Sequence, residues 1–146
     1  MTPENRRIAA LDVLERLRRH EMEEEARELG QLRGRIAQHE QTRDGLERDL
    51  RDETRDSTLE SARYVADYVR AVRAQIVTHA QAIAALEAKA EGLEDRVRAR
   101  FRDMRTIGTL SARARSRRAA EHARREAEEM AEIGLQRWQR DPRRTT

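Results

Sequence analysis

From residue 62 to residue 107 the sequence repeats every seven residues, and this repeat constrains the fold more than any other feature. Ala62, Val69, Ile76, Ile83, Ala90, Val97 and Met104 form one row, and Val65, Val72, His79, Leu86, Leu93, Arg100 and Ile107 form the other. Twelve of these fourteen positions are apolar. Rows spaced three and four residues apart fall on one helix face, so together they make the a/d seam of a coiled coil. A seam sustained over six heptads requires a partner helix to cover it.

A second stripe upstream supplies that partner. Met22, Leu29, Ile36 and Leu50 recur at sevens or multiples of seven, with Leu32 and Leu46 between them, interrupted by Glu25, His39, Arg43 and Glu53. The helix start is marked by Thr2 as a cap, Pro3 at the first helical position and Glu4 in the first turn. Between the stripes lies the polar run Asp52-Glu53-Thr54-Arg55-Asp56-Ser57-Thr58, rich in residues that favour caps and turns. Ser57 with Glu60 reads as a capping box opening the second helix. The expected fold is all-α: a long antiparallel two-helix coiled-coil hairpin with an extended C-terminal helix. It is read as a single coiled-coil domain over 1–146, with helix 1 at about 3–53, a turn at about 54–57, helix 2 at about 58–140 and a disordered tail at 141–146. Facing positions should then sum to roughly 112, setting Leu50 against Ala62, Ile36 against Ile76 and Leu29 against Ile83. One continuous helix that dimerises is the alternative, since nothing in the turn segment forbids it.

Composition agrees with an elongated chain. Leu, Ile, Val and Phe number 25 of 146, too few for a compact core, while Ala, Glu, Lys, Leu and Arg make up 84. There is no Cys, hence no disulfide or thiolate metal site. No run of 18 apolar residues occurs and the start lacks a signal-peptide stretch, so a cytoplasmic protein without membrane insertion is the simplest expectation. The net charge is only +3 despite a pI of about 10.1. Of 31 basic residues only Lys89 is lysine, and nothing physical in the sequence explains that bias.

Helix 2 is longer than its partner. On the expected register the pairing ends near residue 104 and helical signals continue to about Arg140, where Asp141-Pro142 stops them. That leaves an overhang of about 35 residues, or roughly 50 Å. Along it a narrow stripe shifted by one residue holds Ala112, Ala119, Ala123, Ala127, Met130 and Ile133, ending in Leu135 and Trp138. A lone helix cannot bury such a face, so something outside the chain should cover it.

Other features divide between structural and functional readings. Leu14 and Leu17, with Ala10 and Val13, broaden the apolar face near Ile8 and Leu11; this is either a partner surface or a wider pairing where the heptad slips. Met130, Ile133, Leu135 and Trp138 read as an interface, because exposed aromatic anchors are commonly interface residues, or as a locally folded or frayed end. Leu59, Tyr64 and Tyr68 form a patch beside the turn, either a partner contact or an i,i+4 support of the helix. His39 and His79 both sit in the seam, about 9 Å apart along the axis on the expected register, and with Arg43 and Arg100 read as polar residues that set register, not as metal ligands. Gly30 and Gly34 form a GxxxG outside a membrane context and carry little weight. The Arg113, Arg115, Arg117, Arg118 cluster could touch phosphates, but glutamates follow at once and no aromatic platform is interleaved. No nucleophile–base pair, phosphate loop or metal cluster stands out, so no enzymatic activity and no cofactor is expected.

Several of these residues together resemble a known family. Leu11-x-x-Leu14-x-x-Leu17, Glu21 and Glu24-Glu25-Ala26-x-x-Leu29-Gly30-x-Leu32-Arg33 are similar to the first helix of the FliJ family of bacterial flagellar export proteins, with the related YscO-type stalks of injectisomes. Ile76-x-x-His79 and Met130-x-Glu132-Ile133 before a short basic tail are similar to its second helix and C-terminal end. The resemblance implies a hairpin similar to the rotor stalk of rotary ATP synthases. Its paired termini would enter a hexameric flagellar export ATPase, and its other end would meet the membrane export gate. It also implies dealings with export chaperones. Mapped here, it makes Leu14, Leu17, Met130, Ile133, Leu135 and Trp138 the ATPase-side candidates and Leu59, Tyr64 and Tyr68 the gate-side candidates. A self-assembling scaffold and an arginine-rich nucleic-acid binder are the competing expectations.

Overall fold

The computed structural model describes residues 2–144. Helix α1 spans Pro3–Arg55 and α2 spans Ala62–Gln139, followed by a 3-10 turn at Pro142–Arg144. Among the described residues there is no strand, and the fold is an all-α helical hairpin. The expected tail at 141–146 holds that short turn, with the Arg143 N–H donating to Asp141 Oδ1 at 3.1 Å; Thr145 and Thr146 lie outside the described residues, as does Met1.

The helix ends follow from local chemistry. At the start, the Asn5 N–H donates to Thr2 Oγ1 at 3.2 Å, which satisfies one of the orphan amides of the first turn. Helix α1 then runs two residues past its expected end. The capping box expected from Ser57 and Glu60 is not what opens α2: the Thr58 N–H donates to Ser61 Oγ at 3.0 Å, the Ser61 hydroxyl reaches back to the Thr58 carbonyl, and the Ser61 carbonyl accepts the first bond of α2, from the Val65 N–H at 2.9 Å. Adjacent hydroxyls at 57 and 58 offer two cap frames, and Ser57 instead bonds back to the Thr54 carbonyl at the end of α1. The loop therefore occupies 56–61 instead of 54–57, and α2 begins at Ala62.

Contacts group the chain into two units, Met1–Arg19 with Arg102–Thr146, and His20–Phe101. In the second, Leu29, Leu32, Leu86, Ala90 and Leu93 form a buried cluster with Ile36 packed against it. The a/d frames expected for both helices hold there, but their pairing moves. His39 meets His79 and the Leu29–Leu32 pair meets Leu86, Ala90 and Leu93, so facing positions sum to about 118–122 and not 112. The pairings of Leu29 with Ile83, Ile36 with Ile76 and Leu50 with Ala62 are corrected accordingly. Ala62 is exposed, and Leu50 falls opposite about position 68. The cause is the later turn: with a loop centred near 58–59, every facing position on α2 slides along by roughly six residues or more.

In the other unit, Ile8 and Ala114 are buried at 4% and 0% exposure, and Ser111 is buried beside them in the same heptad frame. The seam continues through Ser111 and Ala114 without shifting, whereas Ala112 and Ala119 of the expected stripe are exposed. Pairing with α1 reaches Arg117 and Arg118, where Glu4 and Asn5 meet them. The overhang is thus about 21 residues, roughly 32 Å, well short of the length expected from the sequence.

Candidate functional site

Along α1 the side chains at 4, 8, 11, 15, 18, 22 and 25 are buried or half-buried, an unbroken alternation of three and four. No slip occurs at the N-terminal end. Leu14 and Leu17 consequently lie off the seam and remain 41% and 48% exposed, next to exposed Val13. A wider helix pairing does not account for them.

At the C-terminal end of the same unit every residue from His122 to Arg143 is exposed. Met130, Ile133, Leu135 and Trp138 are among the exposed large apolar side chains there, Trp138 at 52%. At 100° per residue, Met130, Ile133 and Trp138 share a face with Ala123 and Ala127, while Leu135 lies towards its flank. Trp138 also contributes its carbonyl, which accepts from the Asp141 N–H as the helix ends.

Beside the loop, in the other unit, Leu59 is 97% exposed and Tyr64 and Tyr68 project from the first turns of α2. The two tyrosines line a shallow groove with Glu53, Asp56, Ser57 and Ser61, so the patch combines aromatic faces with hydroxyl and carboxylate groups. Gly30 and Gly34 are exposed, and a Cβ at either would meet nothing within 4 Å, so neither marks a close approach in this chain.

The arginine cluster is largely engaged by α1. Arg115 Nη2 donates to Asp12 Oδ2 at 2.6 Å, Arg117 lies 3.6 Å from Glu4, and Arg118 Nη1 donates to Asn5 Oδ1 at 3.3 Å. Asp12 also accepts from the Ser111 hydroxyl at 3.3 Å. The Arg115 hydrogen bond, aided by its charge and by Ser111, holds the Asp12 carboxyl below the usual carboxylate range. These contacts were not foreseen, because the expected register left Arg115, Arg117 and Arg118 without a facing helix.

The polar interruptions of the two seams meet each other. Arg100 Nη1 lies 2.9 Å from Glu21 Oε2, and its Nη2 donates to Glu25 Oε1 at 3.2 Å. His39 Nδ1 and His79 Nδ1 are 2.9 Å apart, not 9 Å. Arg43, by contrast, pairs with its neighbour Asp44 on its own helix. Among the described residues no helix is long and apolar enough to cross a membrane.

A helical hairpin with a thin seam, ion pairs across it and large apolar side chains left outside it defines a coiled-coil protein. The family model described as Flagellar FliJ protein matches residues 7–143, and the chain belongs to that family. Membership makes it a stalk-type protein associated with flagellar export, in a family of structural, chaperone-like export components and not of known enzymes. No curated protein and no solved structure matches the chain.

Proposed function

We propose that this chain, acting as a single coiled-coil domain over 1–146, is the non-enzymatic central stalk of the bacterial flagellar type III export apparatus. Its paired termini enter the hexameric export ATPase, and the loop end meets the export gate membrane protein. It works in the cytoplasm, peripheral to the export apparatus, and also handles export chaperones. The observation carrying this reading is the placement of exposed apolar side chains in one unit: Leu14 and Leu17 outside the α1 seam, and Met130, Ile133, Leu135 and Trp138 beyond the last contacts with α1. Burial of large aromatic and aliphatic anchors is where protein interfaces gain most of their affinity. Leu59, Tyr64 and Tyr68 serve the gate side.

The test is ATP hydrolysis by the export ATPase with and without the chain. Stimulation is expected, and replacing Met130, Ile133 and Trp138 together by Ser should abolish it while far-UV helicity stays intact. Stimulation unchanged by the triple substitution would remove that face from the ATPase contact. Indifference of the ATPase to the native chain, combined with concentration-dependent self-association, would favour a scaffold.

A further inference from the structure

The groove at the loop end holds chemistry that helix pairing leaves unused. Glu53 in the last turn of α1, Asp56 and Ser61 in the loop, and Tyr64 and Tyr68 on α2 line it together. Ser61 spends its hydroxyl on the loop itself, bonding to Thr58. The carboxylates and the rings are not spent in this way. Between the Arg43–Asp44 and Arg70–Asp67 pairs no ion pair forms among the described residues. Tyr64 and Tyr68, one helical turn apart, make no ring contact with each other, and Tyr64 is 80% exposed. Support of the helix by an i,i+4 stack therefore does not account for them.

The negative charge also stands where helix physics disfavours it. Asp52 and Glu53 lie in the last turn of α1, where the macrodipole favours cations. Residues 49–67 carry six acidic and three basic side chains, a net −3, in a chain whose net charge is +3. This end repels phosphates of nucleic acid or anionic lipid and attracts a cation. A guanidinium suits both sets of groups in the groove. It donates paired N–H bonds to carboxylates and lies flat on aromatic rings, which the compact ammonium of lysine does less well. Leu59, 97% exposed in the same loop, offers an apolar contact to residues flanking such an arginine.

We propose that the loop-end groove takes an arginine side chain presented by a partner protein, its guanidinium held by Glu53 and Asp56 and laid against Tyr64 and Tyr68. This deepens the export reading and rests on it for the partner's identity, the export gate protein.

The test has two arms, both on the full chain. In the first, an N-acetylated Leu-Arg-Leu amide is titrated in at low salt while the ring 1H–13C signals of Tyr64 and Tyr68 are followed. Both sets should move, and the corresponding Leu-Lys-Leu peptide should bind about 2–5-fold more weakly. Glu53→Gln combined with Asp56→Asn should weaken the arginine peptide about 3–10-fold with far-UV helicity unchanged. No movement, equal binding of a Leu-Gln-Leu peptide, or an unaltered titration of the double variant would overturn the site. Tyrosine signals that move with chain concentration alone would assign the groove to a second copy and equally overturn it. The comparison of arginine with lysine and glutamine needs no variant, so it decides the matter should the double variant lose helicity. In the second arm the soluble domain of the gate protein replaces the peptide, and the double substitution should weaken its binding by a similar factor. Gate binding unchanged by the substitution keeps the gate contact and overturns the arginine site. A native chain that binds the arginine peptide selectively and ignores the gate domain sinks the gate reading and leaves the groove standing.

Discussion

Around Leu29, Leu32, Leu86, Ala90 and Leu93 the pairing of α1 with α2 rests on branched aliphatic side chains removed from water. Around Asp12, Ser111, Ala114 and Arg115 it rests on small residues at the seam and polar contacts bridging it. The two regions keep one heptad frame along each helix yet draw on different forces. Burial of a leucine side chain is worth about 1.5–3 kcal/mol, whereas an exposed ion pair contributes about 0–1 kcal/mol. The apolar stretch accordingly carries more of the stability, and the pairing near the termini is the more easily opened and the more dependent on salt and pH.

That contrast can be broken most directly in the aliphatic cluster. Leu86→Ala should cost about 2–4 kcal/mol in urea unfolding, with a loss of helicity at 222 nm on mild heating. A cost no larger than that of Arg115→Gln would erase the difference between the regions. Next in size is the Arg100 contact with Glu21 and Glu25, which lies within the leucine-bearing unit. Glu25 is only 17% exposed there, so Arg100→Ala strands a carboxylate in a partly dry setting and should cost about 1–2 kcal/mol. Adding Glu25→Ala should recover part of that loss in a double-mutant cycle; strictly additive effects would show that the pair is not coupled.

The smallest effect concerns Asp12. Its folded-state titration lies below the ordinary carboxylate range because Arg115 and Ser111 favour the charged form. The contribution is therefore complete above that range and lost as pH falls through the lowered folded value. Thermal midpoints measured from neutral to acid pH should decline more steeply in the native chain than in Arg115→Gln. Parallel curves would detach Asp12 from the pairing.

Much of this was readable from residues. The heptad frames of both helices, the Thr2 cap and the exposed, off-seam apolar residues near both termini and the loop follow from spacing alone. Register did not, and the reason is physical. Large aliphatic residues recur along both seams, so sliding one helix by a heptad matches large side chains nearly as well as before. The discriminating residues are the polar interruptions, since Glu25 meets Arg100 and His39 meets His79 across the seam. The turn lies later because Ser57 bonds back to the end of α1 while Thr58 and Ser61 bond to each other, so that α2 begins about four residues beyond its expected start. The alanine stripe at 112 and 119 misled for a related reason: alanine favours helices everywhere and marks a buried face only when something packs on it.

The uninterrupted three-four alternation from Glu4 to Leu50 restricts how such a molecule can change in length. Each inserted residue turns everything beyond it by about 100°, carrying the seam off its partner. A longer or shorter version that keeps its pairing must gain or lose whole heptads, and must do so in both helices at once. Reach in a protein of this build is quantised.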